Sequence, residues 1–359
     1  MCDAAREATV DGARAAAEGN LSSAAPARTS AESAGDACFS VVPLEARGLG
    51  LAAVRDLEAG ALILAEAPAL TFEAGDAAWA EGAQAQLDAL SAEDRDEVMR
   101  LEDAFAGADG PKTLQGILRT NSLSRGMSQD GVLCKTASRL NHSCLPNCDW
   151  CWDASAGEVR VYAAIDIPAG TELCIYYVDL RAPRSERRQQ LSNLYHFSCA
   201  CVACAPAGRG SGGAGEVEAS DRRRTRMREL LGEIETLGPK QAERGVRSVC
   251  ELLDLYDQEG IRLRSYRKCA CYFAFQFSLA LRDSPGIAWW GRRAYENSVL
   301  CHGPRHEQTL RLHGYMKDPQ SHPAAQALHP LLALSLPLLG AAVMCAALGW
   351  TWSTLPEPW

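Results

Sequence analysis

The stretch Arg139-Leu140-Asn141-His142-Ser143-Cys144-Leu145-Pro146-Asn147-Cys148 decides how this chain is read. Two later segments complete it: Ile175-Tyr176-Tyr177-Val178-Asp179 and Tyr195-His196-Phe197-Ser198-Cys199-Ala200-Cys201-Val202-Ala203-Cys204. Cys199, Cys201 and Cys204 form a C-x-C-x-x-C cluster. Thiols packed so closely on one loop rarely serve packing alone and can share an ion. Structural zinc takes four ligands in a tetrahedron with sulfur at about 2.3 Å. A fourth ligand must come from elsewhere, and Cys144 is the expected one. Closure through Cys144 would staple the end of a folded core back onto the Asn141-His142 loop. Four cysteines leave no open coordination position, so the Zn2+ expected here is structural.

The other cysteines, of 15 in all, read differently. Cys148 and Cys151 have metal-like spacing but read as core positions at the start of a strand, and Cys269 and Cys271 as core of an apolar helix. Residues 1–20 are alanine-rich and interrupted by Asp3, Arg6, Glu7 and Asp11, a pattern unlike a cleavable signal peptide. Without a secretory context, clustered thiols are metal ligands or core residues rather than a disulfide framework. An intracellular protein of the nucleus or cytoplasm is expected. The 359 residues carry a net charge of -9. That argues against a phosphate-backbone binder, whose footprint is a basic stripe, and no direct nucleic-acid contact is expected. It favours basic partners such as lysine-rich protein tails.

Outward from this centre the chain divides into segments. Residues 1–37, without an apolar period, read as a disordered tail. Residues 38–206 read as a β-rich core. Its first strands fall at 39–42, 50–54 and 61–65, the third ended by Pro68. Within the core, residues 76–117 read as a helical insertion: Leu87, Leu90, Val98, Leu101 and Phe105 recur at roughly helical intervals, and Ser91 followed by Asp94 marks a helix start. Residues 112–130 read as a helix running into a loop. Strands follow at 158–164 and 172–177, then a charged helix at 184–194. Residues 207–220 read as a flexible, glycine-rich linker. Residues 221–318 are mostly helical, with Val246, Val249, Leu252, Leu253 and Tyr256 on one face. Helix pairs of tetratricopeptide kind are one arrangement this pattern allows, although no clean repeat is present. Residues 319–359 form a hydrophobic tail with no charge before Glu357. Its stretch 328–350 is long enough to span a bilayer. Pro330, Pro337 and His329 interrupt it and no basic residue follows to orient it, so membrane contact through the tail is the less favoured reading. The fold class is α+β.

On these residues the chain resembles the SET-domain proteins, particularly the SET-and-MYND group and fungal SET proteins that lack the MYND finger. Arg47-Gly48-Leu49-Gly50-Leu51 resembles the first SET motif, and Arg119-Thr120-Asn121-Ser122 the segment before the central one. Asn141-His142-Ser143-Cys144-x-Pro146-Asn147 is the family's most diagnostic signature. Ile167-Pro168-Ala169-Gly170-Thr171-Glu172-Leu173, Tyr177-x-Asp179 and the post-SET cysteines follow in order. The resemblance covers roughly residues 38–206. Its specificity lies in order and spacing together; the Gly-x-Gly alone carries nothing. The segment 75–121 contains no cysteine, hence no MYND finger.

The resemblance implies a β-clip SET core with a zinc-bound post-SET loop and a C-terminal helical domain. It implies a protein-lysine N-methyltransferase that uses S-adenosylmethionine, acting as a monomer on an accessible lysine of a histone or another protein. By the same resemblance, Arg47, Gly48, Gly50, Asn121, Asn141, His142, Tyr177 and Phe197 hold the cofactor. Gly48 and Gly50 let backbone approach closely, Arg47 pairs with the cofactor carboxylate, Asn141 meets its amino-acid end, and Phe197 covers the adenine. Asn121 adds a second amide, and His142 contributes mainly backbone bonds. Tyr177 is the central catalytic residue and Tyr195 lines the lysine channel; period-two alternation turns Tyr176 the other way. The implied reaction is a one-step displacement by a neutral amine. It needs no nucleophile on the protein, only alignment and electrostatics. The alternatives are a non-catalytic SET module that binds a partner protein, and a membrane-tethered adaptor built on the tail.

Overall fold

Short apolar runs punctuated by glycine and proline favour short strands. The computed structural model describes residues 37–44, 47–73, 79–107, 110–126, 130–204 and 214–327. Among them are ten strands: β1 (Phe39–Leu44), β2 (Gly48–Ala53), β3 (Leu62–Glu66), β4 (Leu70–Phe72), β5 (Leu123–Ser124), β6 (Gly131–Leu133), β7 (Asn141–His142), β8 (Cys148–Asp153), β9 (Glu158–Ala163) and β10 (Glu172–Ile175). They make three small sheets, ordered β1-β2-β10-β7, β3-β9-β8 and β4-β6-β5. The disordered tail expected at the N-terminus, up to residue 36, and the apolar stretch 328–350 lie outside the described residues. No helix among the described residues is long and apolar enough to cross a membrane.

The first sheet positions the site. β1 and β2 form a hairpin from Phe39↔Ala53 to Leu44↔Gly48, and Gly48 enters β2 at φ 70°, a conformation open to glycine. β10 pairs antiparallel with β2 and parallel with the two-residue β7, Cys174 opposite Asn141 and Ile175 opposite His142. The ladder stops at Ile175, two residues before the expected strand end, because the Tyr177 N–H leaves it for the His142 ring. Cys148 and Cys151 are buried on β8, as expected of core positions.

The insertion holds two helices, α1 (Trp79–Ala89) and α2 (Ala92–Met99), the second capped by the Ser91 hydroxyl on the Asp94 N–H (3.0 Å). A third helix, α3 (Leu114–Asn121), ends early. The β5–β6 pair replaces the expected helix-to-loop run, its strands being too short to show alternation. Leu87, Val98, Leu101, Ile117 and Leu118 bury against Leu70 and Leu133 of the third sheet. Then come α4 (Arg184–Tyr195), α5 (Ala214–Thr236), α6 (Ala242–Gln258), α7 (Arg264–Leu281), α8 (Ser284–His302), α9 (Glu307–Lys317) and α10 (Pro323–Ala327). α5 takes up residues 214–220, which the glycines upstream made look like linker; its charged residues 216–223 are good helix formers once a partner helix packs on them.

The described residues from Cys38 onward belong to one unit, and side chains from β8 and β9 bolt the sheets to the helices. Leu263, which precedes α7, supplies no cap of its own. Asp149 of β8 does this instead, accepting from the Arg264 N–H (2.7 Å) and from the N–H and hydroxyl of Ser265 (3.3 and 2.5 Å). A carboxylate at a helix N-terminus satisfies orphan donors and meets the positive end of the dipole. Tyr162 donates to the His302 carbonyl (2.9 Å) and Arg264 to that of Ala164 (2.9 Å). α7 is buried all round from Ala270 to Leu279, as a helix apolar on every face must be.

His322 closes the far side of α7. It is fully buried, its Nδ1 accepts the Ala324 N–H (3.0 Å) and its Nε2 faces the Tyr272 hydroxyl (2.8 Å). Burial pushes its imidazole down from 6.5 to about 4. The unfolded chain takes up this proton near pH 6.5 and the folded one only near 4. Stability is therefore full above the first value and falls as the pH drops toward the second, by up to about 1.4 kcal/mol per pH unit for one such group. His302 and His306, also depressed by burial, act in the same direction. Thermal melts should show a lower midpoint at pH 5 than at pH 7.5, with a smaller drop in His322→Gln. An equal drop in the variant would remove His322 from the account.

Candidate active site and metal centre

The signature motif is folded by its own side chains. The Ser143 N–H donates to the Ile175 carbonyl (3.0 Å), extending the β7–β10 pairing by one bond. Asn147 completes it as a side-chain imitation of a strand: its Oδ1 accepts the Cys174 N–H and its Nδ2 donates to the Glu172 carbonyl, both at 2.8 Å. Between these anchors Cys144 turns inward. It meets Cys199, Cys201 and Cys204, and the four Sγ atoms lie within 4.8 Å of one another, Cys144 and Cys204 at 3.5 Å. A tetrahedron with arms of about 2.3 Å has edges of about 3.8 Å, so the set fits one zinc ion. All but Cys201 are buried.

His142 joins this cage to the next group. Its Nδ1 accepts the Tyr177 N–H (3.0 Å), so the ring proton sits on Nε2, which points at Cys144 Sγ (3.3 Å). Burial, against the pull of Cys201 and with the push of Arg187, lowers the imidazole to about 4 and keeps it neutral. Its ring packs 5.4 Å from Tyr177 and 6.3 Å from Phe197, and Tyr177 packs 4.8 Å from Tyr195. Tyr176 turns away and packs against Tyr266. The Tyr177 hydroxyl donates to the Leu140 carbonyl (2.6 Å), leaving its oxygen lone pairs free to accept. Burial, reinforced by Tyr195, raises its pKa; burial alone raises that of Tyr195. Both hydroxyls are thus un-ionised near neutral pH and cannot act as bases.

Around the first motif the picture differs from expectation. The exposed Arg47 pairs with Glu172 (2.6 Å), and Asn141 Nδ2 donates to the same carboxylate (3.1 Å) and to the Leu49 carbonyl (3.4 Å). Glu172 thus organises both residues assigned to the cofactor's amino-acid end. Its only sequence signal was its place in the Ile167–Leu173 motif, at the start of the expected strand. A Cβ on Gly50 would lie 2.7 Å from Asn141 Nδ2 and 2.4 Å from Leu44 Cδ1, whereas one on Gly48 would meet nothing within 4 Å. Gly50 therefore makes room for Asn141, and Gly48 serves the turn. The Asn121 amide donates to the carbonyls of Glu102 (2.6 Å) and Ile117 (2.7 Å), tying this residue to the insertion.

Two further contacts were not legible. Arg187 of α4 donates to Cys144 Sγ (3.2 Å) and Cys204 Sγ (3.7 Å). Phe105 of the insertion meets His196 edge-on at 4.8 Å, under the Arg119 guanidinium at 4.0 Å. His196 ends α4 in the left-handed region, φ 55°, between the two aromatics Tyr195 and Phe197.

This assembly of three small sheets threaded around an Asn-His-Ser-Cys loop and shut by a cysteine cage is the architecture of a SET domain. The SET domain family model matches residues 48–178, and those residues form a SET domain. Histone-lysine N-methyltransferase set5 of Schizosaccharomyces pombe is 26% identical over 301 residues, 83% of this chain and 89% of that protein. SET domain and MYND-type zinc finger protein 6 of the same organism is 43% identical over 81 residues, which are 23% of this chain and 16% of that protein. A solved structure of the SET domain of LSMT bound to lysine and AdoHcy aligns at 13% identity with a TM-score of 0.31, covering 84% of this chain and 91% of that one.

Replacing one cage thiolate leaves three ligands and an uncompensated site. Cys201→Ser should drop metal content, measured by plasma mass spectrometry, from about one zinc per chain to a small fraction and lower the melting temperature. A variant that keeps its zinc would exclude Cys201 as a ligand.

Proposed function

We propose that this chain is a protein-lysine N-methyltransferase that takes its methyl group from S-adenosylmethionine. The observation that carries the reading is the Tyr177 hydroxyl, un-ionised and held by the Leu140 carbonyl beside Tyr195. The set5 relative's name points to the same reaction, with a histone as that protein's substrate. For this chain we propose a protein substrate with an accessible lysine.

Bound cofactor would supply an electrophilic methyl on a sulfonium. Arg47 and Glu172 offer opposite charges to the carboxylate and ammonium of its amino-acid end, beside the Asn141 amide. Phe197 offers a ring face for the base, with the His142 backbone beside it. Tyr177 accepts weak C–H···O contacts and orients the incoming amine through its free lone pairs. Tyr195 narrows the approach on the other side. An ammonium entering this aromatic, half-buried space loses hydration, which favours its neutral, nucleophilic form. The residues thus contribute alignment, an effect worth several kcal/mol in barrier.

The test is transfer of labelled methyl from S-adenosylmethionine to a panel of lysine-rich proteins, with mass spectrometry to place it. Tyr177→Phe should lose about a hundredfold in kcat while binding S-adenosylhomocysteine as the parent does; full activity would contradict its role. Gly50→Ala should push Asn141 aside and weaken S-adenosylhomocysteine binding roughly tenfold, about 1.4 kcal/mol, by calorimetry. No transfer and no cofactor binding in the parent chain would turn the reading to a non-catalytic SET module.

A further inference from the structure

Two buried arginines lie between the cysteine cage and the helical domain. Arg187 and Arg224 are each 1% exposed. Arg187 donates through Nε and one terminal nitrogen to Cys144 and Cys204, and through the other terminal nitrogen to the Ala182 carbonyl (2.5 Å). Arg224, on α5, donates to the Leu180 carbonyl and to Glu259 (2.8 Å). Glu259 ends α6 and also receives Arg223 and Ser220, each at 2.6 Å.

A buried cation without a counter-charge is strongly destabilising. Arg224 has Glu259. The partners described for Arg187 are two sulfurs and a carbonyl, so its counter-charge must come from the cage. A divalent ion held by four thiolates carries a net charge of about −2, and one guanidinium placed against two of the sulfurs offsets half of it. The same two arginines grip the carbonyls of Leu180 and Ala182, in the loop that leaves Tyr177. The cage, that loop and α5 also share one apolar core, with Cys144, Leu180, Cys204, Met227 and Leu230 among its members.

We propose that Arg187 is a positioning residue of the metal site: it balances the charge of the metal-bound thiolates and, with Arg224, ties the ion to the loop after Tyr177 and to the helical domain. The proposal rests on the metal site and not on methyl transfer, so its test needs no activity. Outer contacts to ligand atoms of this kind change metal affinity by roughly 10–100-fold.

The full-length, zinc-loaded chain is challenged with a chromophoric chelator, and zinc affinity and release rate are read for the parent, R187M, R187K and R224M. R187M should hold zinc roughly 10–100-fold more weakly. R187K, the fold-preserving control, keeps the charge but not the forked geometry and should fall between. R224M touches no sulfur and should speed release by a smaller factor. Amide exchange should rise at residues 180–182 and 220–228 in R187M and R224M, and stay unchanged in β8 and β9. Zinc held as tightly in R187M and R187K as in the parent would overturn the proposal, as would unchanged exchange at 180–182. A parent chain that carries no zinc would remove the metal site and this proposal together. Lost methyl transfer with normal zinc behaviour in the parent would count against the enzyme reading alone.

Discussion

The site depends on one buried imidazole with both nitrogens engaged. The parallel pairing of β7 with β10 places His142 opposite Ile175, close enough for Nδ1 to take the N–H of Tyr177. That bond leaves Nε2 with the proton, and the proton faces Cys144. A single ring thus sets the end of β10, the orientation of Tyr177 and one outer contact of the metal cage. Such an arrangement tolerates little slack, because a buried polar atom left without its partner costs about 1–3 kcal/mol. It explains why a two-residue strand, too short to be stable by its own ladder, is nonetheless fixed.

What the sequence made legible, and what it did not, follows from how local each signal is. The C-x-C-x-x-C cluster declares itself because its residues are neighbours in the chain. Cys144 was legible through its motif, and the structure brings it to the other three thiols. The opposite facing of Tyr176 and Tyr177 was legible from backbone alternation, although the ladder ends at Ile175 and the His142 ring holds Tyr177. Glu172 and Arg187 were not legible, because their meaning comes from partners 125 and 43 residues away, with no spacing rule to announce them. An arginine in a charged helix such as α4 reads as solvated surface until a thiolate cage is seen to lie beneath it. Asn121 shows the opposite: it sits in the expected motif, but its hydrogen bonds to the end of α3 and to the Glu102 carbonyl carried no signal in the sequence.

The helical domain is part of the site's frame rather than a separate appendage. Its helices share a core with the cage cysteines, and β8 caps α7 with the Asp149 carboxylate. That cap is polar and buried, so it fixes the relative position of two elements as apolar packing alone would not: a carboxylate has few places where it can find three donors. The insertion does a comparable job on the other side. Phe105, itself under the Arg119 guanidinium, packs edge-on against His196, the left-handed residue that separates Tyr195 from Phe197. The turn between the two aromatics thus meets Phe105, a residue that belongs to no motif.

These constraints bear on the kind of catalysis the site can perform. Tyr177 and Tyr195 are kept un-ionised by the burial that positions them, so neither can remove the proton from an ammonium. His142 cannot do so either, since Nδ1 is occupied by a backbone N–H and Nε2 already carries its proton. With these three side chains excluded as the base, the lysine must lose its proton to solvent before or during entry, helped by the same desolvation that raises the tyrosines. On the proposed reading, the half-buried aromatic side chains have a double consequence: they fix the geometry of transfer, and they select the protonation state of the amine that can undergo it.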